Sequence, residues 1–164
     1  MPRTLILMRH AKQSDLGTSD HERPLTDEGR DAAYQVGVAL HERSALPERG
    51  LCSTALRCRQ TWETLLRGAK HDLPADFDAE LYNASASDIL KVLAGANDTT
   101  ETLLLLAHNP GMSILALALG GGDEDSLKRL RAGFRPGTTA TFEIDGPWST
   151  VSAQTARLIR FDPI

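Results

Sequence analysis

No apolar run in this 164-residue chain reaches the roughly 18 to 20 residues that a membrane-spanning helix needs. The N-terminal run, Leu5 to Met8, is too short for the core of a secretory signal, and no small-residue cleavage site follows it. These absences predict a cytoplasmic protein with no membrane partner. Excess positive charge is also missing: 18 Lys and Arg stand against 22 Asp and Glu, a formal net charge of −4. That balance argues against nucleic acid as a partner, while leaving room for a local basic cluster. Cysteine is scarce. Cys52 and Cys58 lack CxxC spacing and read as reduced, packed side chains rather than as a disulfide or metal pair. Repeats, low-complexity tracts and linkers are absent, so residues 1–164 read as one domain with a sizeable core.

What the chain does have is an alternation of elements. Thr4 to Met8 is an apolar, buried-strand pattern, followed by a polar loop over residues 11–25. Thr26 is placed to cap a helix that opens with Asp27 and Glu28 and carries Ala33, Val36 and Leu40 at helical spacing to about Glu42. Gly50 to Ser53 reads as a second strand, and Cys58, Trp62, Leu65, Leu66 and Ala69 as the inner stripe of the next helix. Asp76 to Glu80 is a weak strand or a loop. Ser85 and Asp88 have capping-box spacing ahead of Ile89, Leu90 and Leu93. Thr102 to Ala107 is a strand apolar on both faces, and Asn109-Pro110-Gly111 opens a helix that stops at Gly120 to Gly122. A short helix is expected around Asp125 to Arg131. Thr138 to Ile144 and Thr155 to Phe161 read as strands joined through Asp145-Gly146-Pro147, forming an antiparallel edge. The alternation predicts an α/β fold: a three-layer α/β/α sandwich around a mainly parallel sheet.

Ligands of such sheets bind at the carboxyl ends of the strands. Arg9 and His10 follow the first strand, Arg57 lies in the first turn after the second, and His108 follows the Leu103 to Ala107 strand. All four basic side chains are thereby placed on one sheet edge, close to helix N-termini that already favour anions. Two arginines, two histidines and backbone N–H groups describe a pocket for a phosphate-sized dianion. A metal site on His10 and His108 is the competing reading. The adjacent arginines oppose it, and no carboxylate cluster accompanies the pair, so neither a metal nor another cofactor is expected.

The same residues resemble a known family. Leu7-Met8-Arg9-His10-Ala11 is similar to the RHG motif of the histidine phosphatase superfamily, also called phosphoglycerate-mutase-like. Ser53-x-x-x-Arg57-x-x-Gln60-Thr61 resembles its second motif, and Leu106-Ala107-His108-Asn109-Pro110 its third. Asp20-x-x-Arg23-Pro24-Leu25-Thr26-x-x-Gly29 looks like its first loop. The likeness covers residues 4 to about 115, and the short chain with RHA in place of RHG resembles the SixA-type phosphohistidine phosphatase branch. Ala11 departs from the family glycine.

This resemblance implies a phosphoglycerate-mutase-like fold, with His10 as nucleophile and Arg9, Arg57 and His108 as the clamp on the phosphoryl oxygens. It adds Arg23 and Asn109 as substrate-binding candidates and Glu80 as general acid, with Asp15, Asp20 or no acid as alternatives. The implied substrate is a phosphorylated protein, a phosphotransfer domain bearing phosphohistidine, with a small phosphomonoester second. A phosphate-binding module without turnover is the reading from another class.

Overall fold

The computed structural model describes residues 2–163. Leu5 to Met8 form the centre of strand β1 (Arg3–Arg9). Leu5 and Leu7 join one apolar layer, Ile6 and Met8 the other, and each is at most 1 % exposed. A strand covered on both faces has no polar side, which explains the unbroken apolar run. Burying each such side chain contributes about 1.5–3 kcal/mol.

The remaining elements are α1 (Asp27–Glu42), β2 (Arg49–Ser53), α2 (Leu56–Ala69), β3 (Ala75–Asp78), α3 (Ala86–Ala94), β4 (Thr102–Ala107), α4 (Gly111–Leu119), α5 (Glu124–Ala132), β5 (Thr139–Ile144) and β6 (Ala156–Asp162). The six strands lie in the order β3-β2-β4-β1-β5-β6. The first four in that order are mutually parallel, β5 runs antiparallel to β1, and β6 antiparallel to β5. This is the expected three-layer α/β/α sandwich with its antiparallel edge.

Helices α1 and α2 cover one face of the sheet, where Val36, Leu40, Cys58, Trp62 and Leu65 pack on Ile6, Met8, Leu104 and Leu106. The two helices approach closely because each offers a glycine. A Cβ on Gly37 would stand 1.9 Å from the Leu65 carbonyl oxygen, and one on Gly68 2.0 Å from that of Tyr34. The other face is covered from α3, α4 and α5, through Ile89, Leu93, Met112, Leu115, Leu127 and Leu130.

Local chemistry sets the helix starts. Thr26 Oγ1 accepts the Gly29 N–H at 2.9 Å to open α1, and Ser85 and Asp88 form the expected capping box before α3. At α4 the structure differs from expectation: the helix begins at Gly111, so Pro110 precedes it and does not sit in its first turn. The Asn109–Pro110 bond is cis. Asn109 still serves the helix start, its Oδ1 accepting the Ser113 N–H at 3.2 Å. Leu66, expected on the inner stripe of α2, is half-buried.

The link between β5 and β6 is longer than the Asp145-Gly146-Pro147 turn expected. It runs over residues 145–155 and contains a 3-10 turn, Trp148–Thr150. Trp148 is the anchor: its ring is 1 % exposed and its indole N–H donates to the Thr100 carbonyl at 3.0 Å. Among the described residues, no helix is long and apolar enough to cross a membrane.

The pairing of β1 with β4 fixes the site. Arg9 stands beside Ala107, so His10 and His108 leave adjacent strands at the same level. Cys52 pairs with Leu106, which brings Ser53 and the start of α2 to the same edge.

Candidate active site

His10, His108 and Arg57 are 3 %, 4 % and 5 % exposed, respectively. The two imidazoles face one another with ring centroids 5.2 Å apart. Backbone bonds hold the base of the site. The His10 N–H donates to the Ala107 carbonyl at 3.2 Å, and the Gly137 N–H is shared between the carbonyls of Arg9 and His10, each at 3.0 Å.

Nδ1 of His10 lies 2.8 Å from the Ala11 carbonyl oxygen. A carbonyl only accepts, so Nδ1 carries the proton and Nε2 keeps a free lone pair. Burial lowers the His10 pKa to about 3; the Ala11 hydrogen bond opposes this, and the nearby His108, Arg57 and Arg9 add to it. The ring is therefore neutral at physiological pH. His108 is lowered to about 4, by burial first and then by Arg57. Burial, and next the charge of Arg57, also lower the pKa of Arg9.

The methyl of Ala11, where the family motif has glycine, lies in a small apolar cluster with Leu25 and Ala33. Its backbone needs no positive φ. The Ala11 N–H donates to Thr61 Oγ1 at 3.0 Å, and that hydroxyl donates to the Arg57 carbonyl at 2.6 Å. Thr61 thus ties the loop after β1 to the start of α2.

Three buried nitrogens of the site residues have no partner: Arg9 Nε, Arg57 Nε and His108 Nδ1. The same is true of Arg3 Nε and Arg43 Nε elsewhere, and of Thr138 Oγ1, whose backbone carbonyl binds Arg9 N–H. Buried polar groups are normally satisfied, so unpartnered nitrogens on Arg9, Arg57 and His108 leave the site able to take an acceptor. A phosphoryl group has that chemistry. Among the described residues, no group of three or more His, Cys, Asp and Glu side chains is placed to hold a metal ion.

The chain belongs to the histidine phosphatase superfamily. The family model described as histidine phosphatase superfamily (branch 1) matches residues 5–91. An uncharacterised protein of Mycobacterium tuberculosis (strain ATCC 25618 / H37Rv), Rv1276c, is 33% identical over 158 residues, 94% of this chain and 98% of its own. Among solved structures, a candidate phosphohistidine phosphatase SixA from Nakamurella multipartitia is 30% identical, with a TM-score of 0.85 over 99% of this chain and 96% of that one. Another, from Agrobacterium tumefaciens, is 28% identical with a TM-score of 0.81, covering 100% and 99%. The likeness is to the SixA-type branch, as the motifs implied.

The outer candidates fall differently. Arg23 is engaged inside the first loop, donating to the Ser14 carbonyl at 2.9 Å and pairing with Asp15 at 2.7 Å and Asp20 at 3.1 Å. Asn109 is engaged at both ends of its amide, since Nδ2 donates to the Phe134 carbonyl at 3.0 Å. Arg9 Nη1 donates to that same carbonyl at 3.1 Å. Glu80 is exposed, in a 3-10 turn (Ala79–Leu81) just beyond β3, with its backbone N–H held by Asp78 Oδ1 at 2.8 Å.

Sequence reasoning missed Tyr82. Its hydroxyl donates to Asp20 Oδ2, its ring meets those of His21 and His108 edge-on at 4.9 and 5.5 Å, and Arg57 lies 6.0 Å from its centroid. The segment after β3 offers Glu80 as its candidate, and nothing local marks Tyr82, which reaches the site through Asp20, 62 positions away.

Proposed function

We propose that this chain is a phosphatase whose nucleophile is Nε2 of His10, and that its substrate is phosphohistidine on a protein. The observation that carries this reading is the Ala11 carbonyl on Nδ1, which leaves a neutral lone pair on Nε2 among buried donors. The Nε2 lone pair attacks phosphorus in line. An N–P bond forms on His10 as the bond to the leaving group breaks. Water then attacks phosphorus, the His10 N–P bond breaks, and inorganic phosphate departs. Splitting one difficult displacement into two is the gain of covalent catalysis.

Phosphoryl transfer asks mainly for positioning and charge. Arg9 and Arg57 offer planar forks of donors to the equatorial oxygens, and His108 Nδ1 adds another. Each preorganised donor of this type is worth about 3–4 kcal/mol where an oxyanion donor has been removed. Cationic side chains here take the part that a metal plays elsewhere, and the reaction needs none.

Protonation of the leaving group separates the substrate classes. Asp20 accepts from Tyr82, Arg23 and Arg57, chiefly Tyr82, and its pKa falls to about 2. It is ionised near neutral pH and has no proton to give. Of the other candidates, Asp15 is exposed and paired with Arg23 at 2.7 Å, and Glu80 is exposed. A phosphoramidate nitrogen can be protonated beforehand, so phosphohistidine is less dependent on an enzyme acid. This supports a phosphotransfer domain as partner, with a small phosphomonoester as the alternative.

The test compares a phosphohistidine-bearing phosphotransfer domain with an aryl phosphate, using His10→Ala as control. Turnover of the protein substrate that vanishes in His10→Ala is expected. Preference for the aryl phosphate would reassign the substrate, and phosphate binding without turnover of either would make the chain a binding module.

A further inference from the structure

Ser53 is fully buried at the end of β2. Its hydroxyl oxygen accepts the Ala55 N–H at 3.2 Å and lies 2.7 Å from Nε2 of His108. The other ring nitrogen, Nδ1, is buried and without a partner. A neutral imidazole carries one proton, and its place follows from these neighbours. With the Ser53 oxygen accepting from Ala55, its own proton is free to go to Nε2. Nε2 then accepts, and the imidazole proton sits on Nδ1.

We propose that Ser53 is a positioning residue that fixes His108 as its Nδ1–H tautomer, so that the second histidine meets the phosphoryl group as a hydrogen-bond donor. What Nδ1–H meets rests on the phosphatase reading above; the tautomer itself does not. The opposite tautomer would have Ser53 accept two N–H groups and would put a bare lone pair on Nδ1, which repels an anion. Cys58 Sγ, 3.7 Å from Nε2, is a weaker partner, and burial pushes its thiol pKa up to about 12, so it stays protonated.

The two histidines are thereby held in the same tautomer from opposite sides. The Ala11 carbonyl takes the Nδ1 proton of His10 and leaves a lone pair for attack. The Ser53 hydroxyl donates to Nε2 of His108 and leaves an N–H for the charge that develops. His108 is neutral at pH 7, since burial and Arg57 lower its pKa to about 4. The choice of tautomer therefore decides whether it helps or opposes an incoming phosphate. Mutating the partner that orients a metal-bound histidine typically costs about 10- to 100-fold in affinity or activity, and the same scale is expected for the partner of His108.

The test reads the tautomer directly. Protein labelled with ¹⁵N-histidine is examined by long-range ¹H–¹⁵N NMR at pH 7.5 without phosphate, the His108 signals being identified by their loss in His108→Gln. Wild type is expected to show a protonated Nδ1 and a bare Nε2. Ser53→Ala is expected to move the population toward Nε2–H and to lower kcat on a phosphohistidine substrate roughly 10- to 100-fold. Ser53→Thr, which keeps the hydroxyl, is expected to retain the Nδ1–H tautomer. An Nε2–H signal in wild type overturns the proposal, as does Ser53→Ala with unchanged tautomer. A changed tautomer with unchanged kcat overturns its catalytic half. Should Ser53→Ala fail to fold, the wild-type spectrum still decides the tautomer. Wild-type protein that turns over no phosphorylated substrate would instead defeat the phosphatase reading, and the spectra would still decide the role of Ser53.

Discussion

The carboxylate of Asp20 stands on the guanidinium of Arg57. Oδ2 lies 3.2 Å from Nη2, and the Asp20 backbone carbonyl accepts from Nη1 at 2.8 Å. The first loop thus supplies an anion to the arginine that phosphate is proposed to use. Tyr82 holds the same carboxylate from the other side.

Phosphate must displace that carboxylate, so Asp20→Asn should bind inorganic phosphate more tightly. Asp20 is about half exposed, and pairs of that kind are worth at most about 1 kcal/mol, so the gain should be about twofold to fivefold. Calorimetric titration of phosphate measures it. If Asp20 is instead the general acid, kcat on an aryl phosphate should fall about 100-fold or more in the same variant, with no gain in phosphate affinity.

Arg57→Lys keeps the charge and removes the fork. A single ammonium cannot span two phosphoryl oxygens as a guanidinium does. We expect kcat/KM on phosphohistidine to fall about 10²- to 10³-fold. A loss below about threefold would show that charge alone suffices at this position.

Stability should fall in acid through the two site histidines. Both have folded-state pKa values lowered from 6.5, to about 3 and about 4. Below pH 6.5 the unfolded chain takes up protons that the folded site refuses, so stability is full above that pH and declines as pH falls toward 3. Each histidine should remove on the order of 2 kcal/mol between pH 7.5 and 4.5. Urea unfolding at the two pH values tests this, and His10→Ala should flatten the dependence.

The packing of α1 on α2 offers a control away from the chemistry. Gly37→Ala would drive a methyl against the Leu65 carbonyl, and overpacking of this kind costs about 1–3 kcal/mol. Its thermal midpoint should fall while kcat at permissive temperature is kept.

Much of this arrangement was legible in the chain because it depends on local signals. The apolar runs Leu5 to Met8 and Leu103 to Ala107 announce strands buried on both faces, and Thr26 and Ser85 announce helix starts. Placing Arg9, His10, Arg57 and His108 together needed only the rule that ligands meet parallel sheets at strand ends. What escaped depends on contacts between distant segments. Tyr82 reaches Asp20 across 62 positions and His108 reaches Ser53 across 55, and no periodicity encodes either. Arg23 and Asn109 were legible as polar residues in the right segments. Their hydrogen bonds to Asp15, Asp20, Phe134 and Ser113 were not. Trp148 lengthened the β5–β6 connection for the same reason, since its anchor at Thr100 lies 48 positions away.

The most direct measurement is an acid-sensitive trap of the enzyme itself. Protein mixed with ³²P-labelled phosphohistidine substrate and quenched within one turnover should carry label on His10. That label should survive alkali, be lost in acid, and be absent from His10→Ala. Label that resists acid, label on another residue, or hydrolysis that persists in His10→Ala would contradict attack by the imidazole of His10.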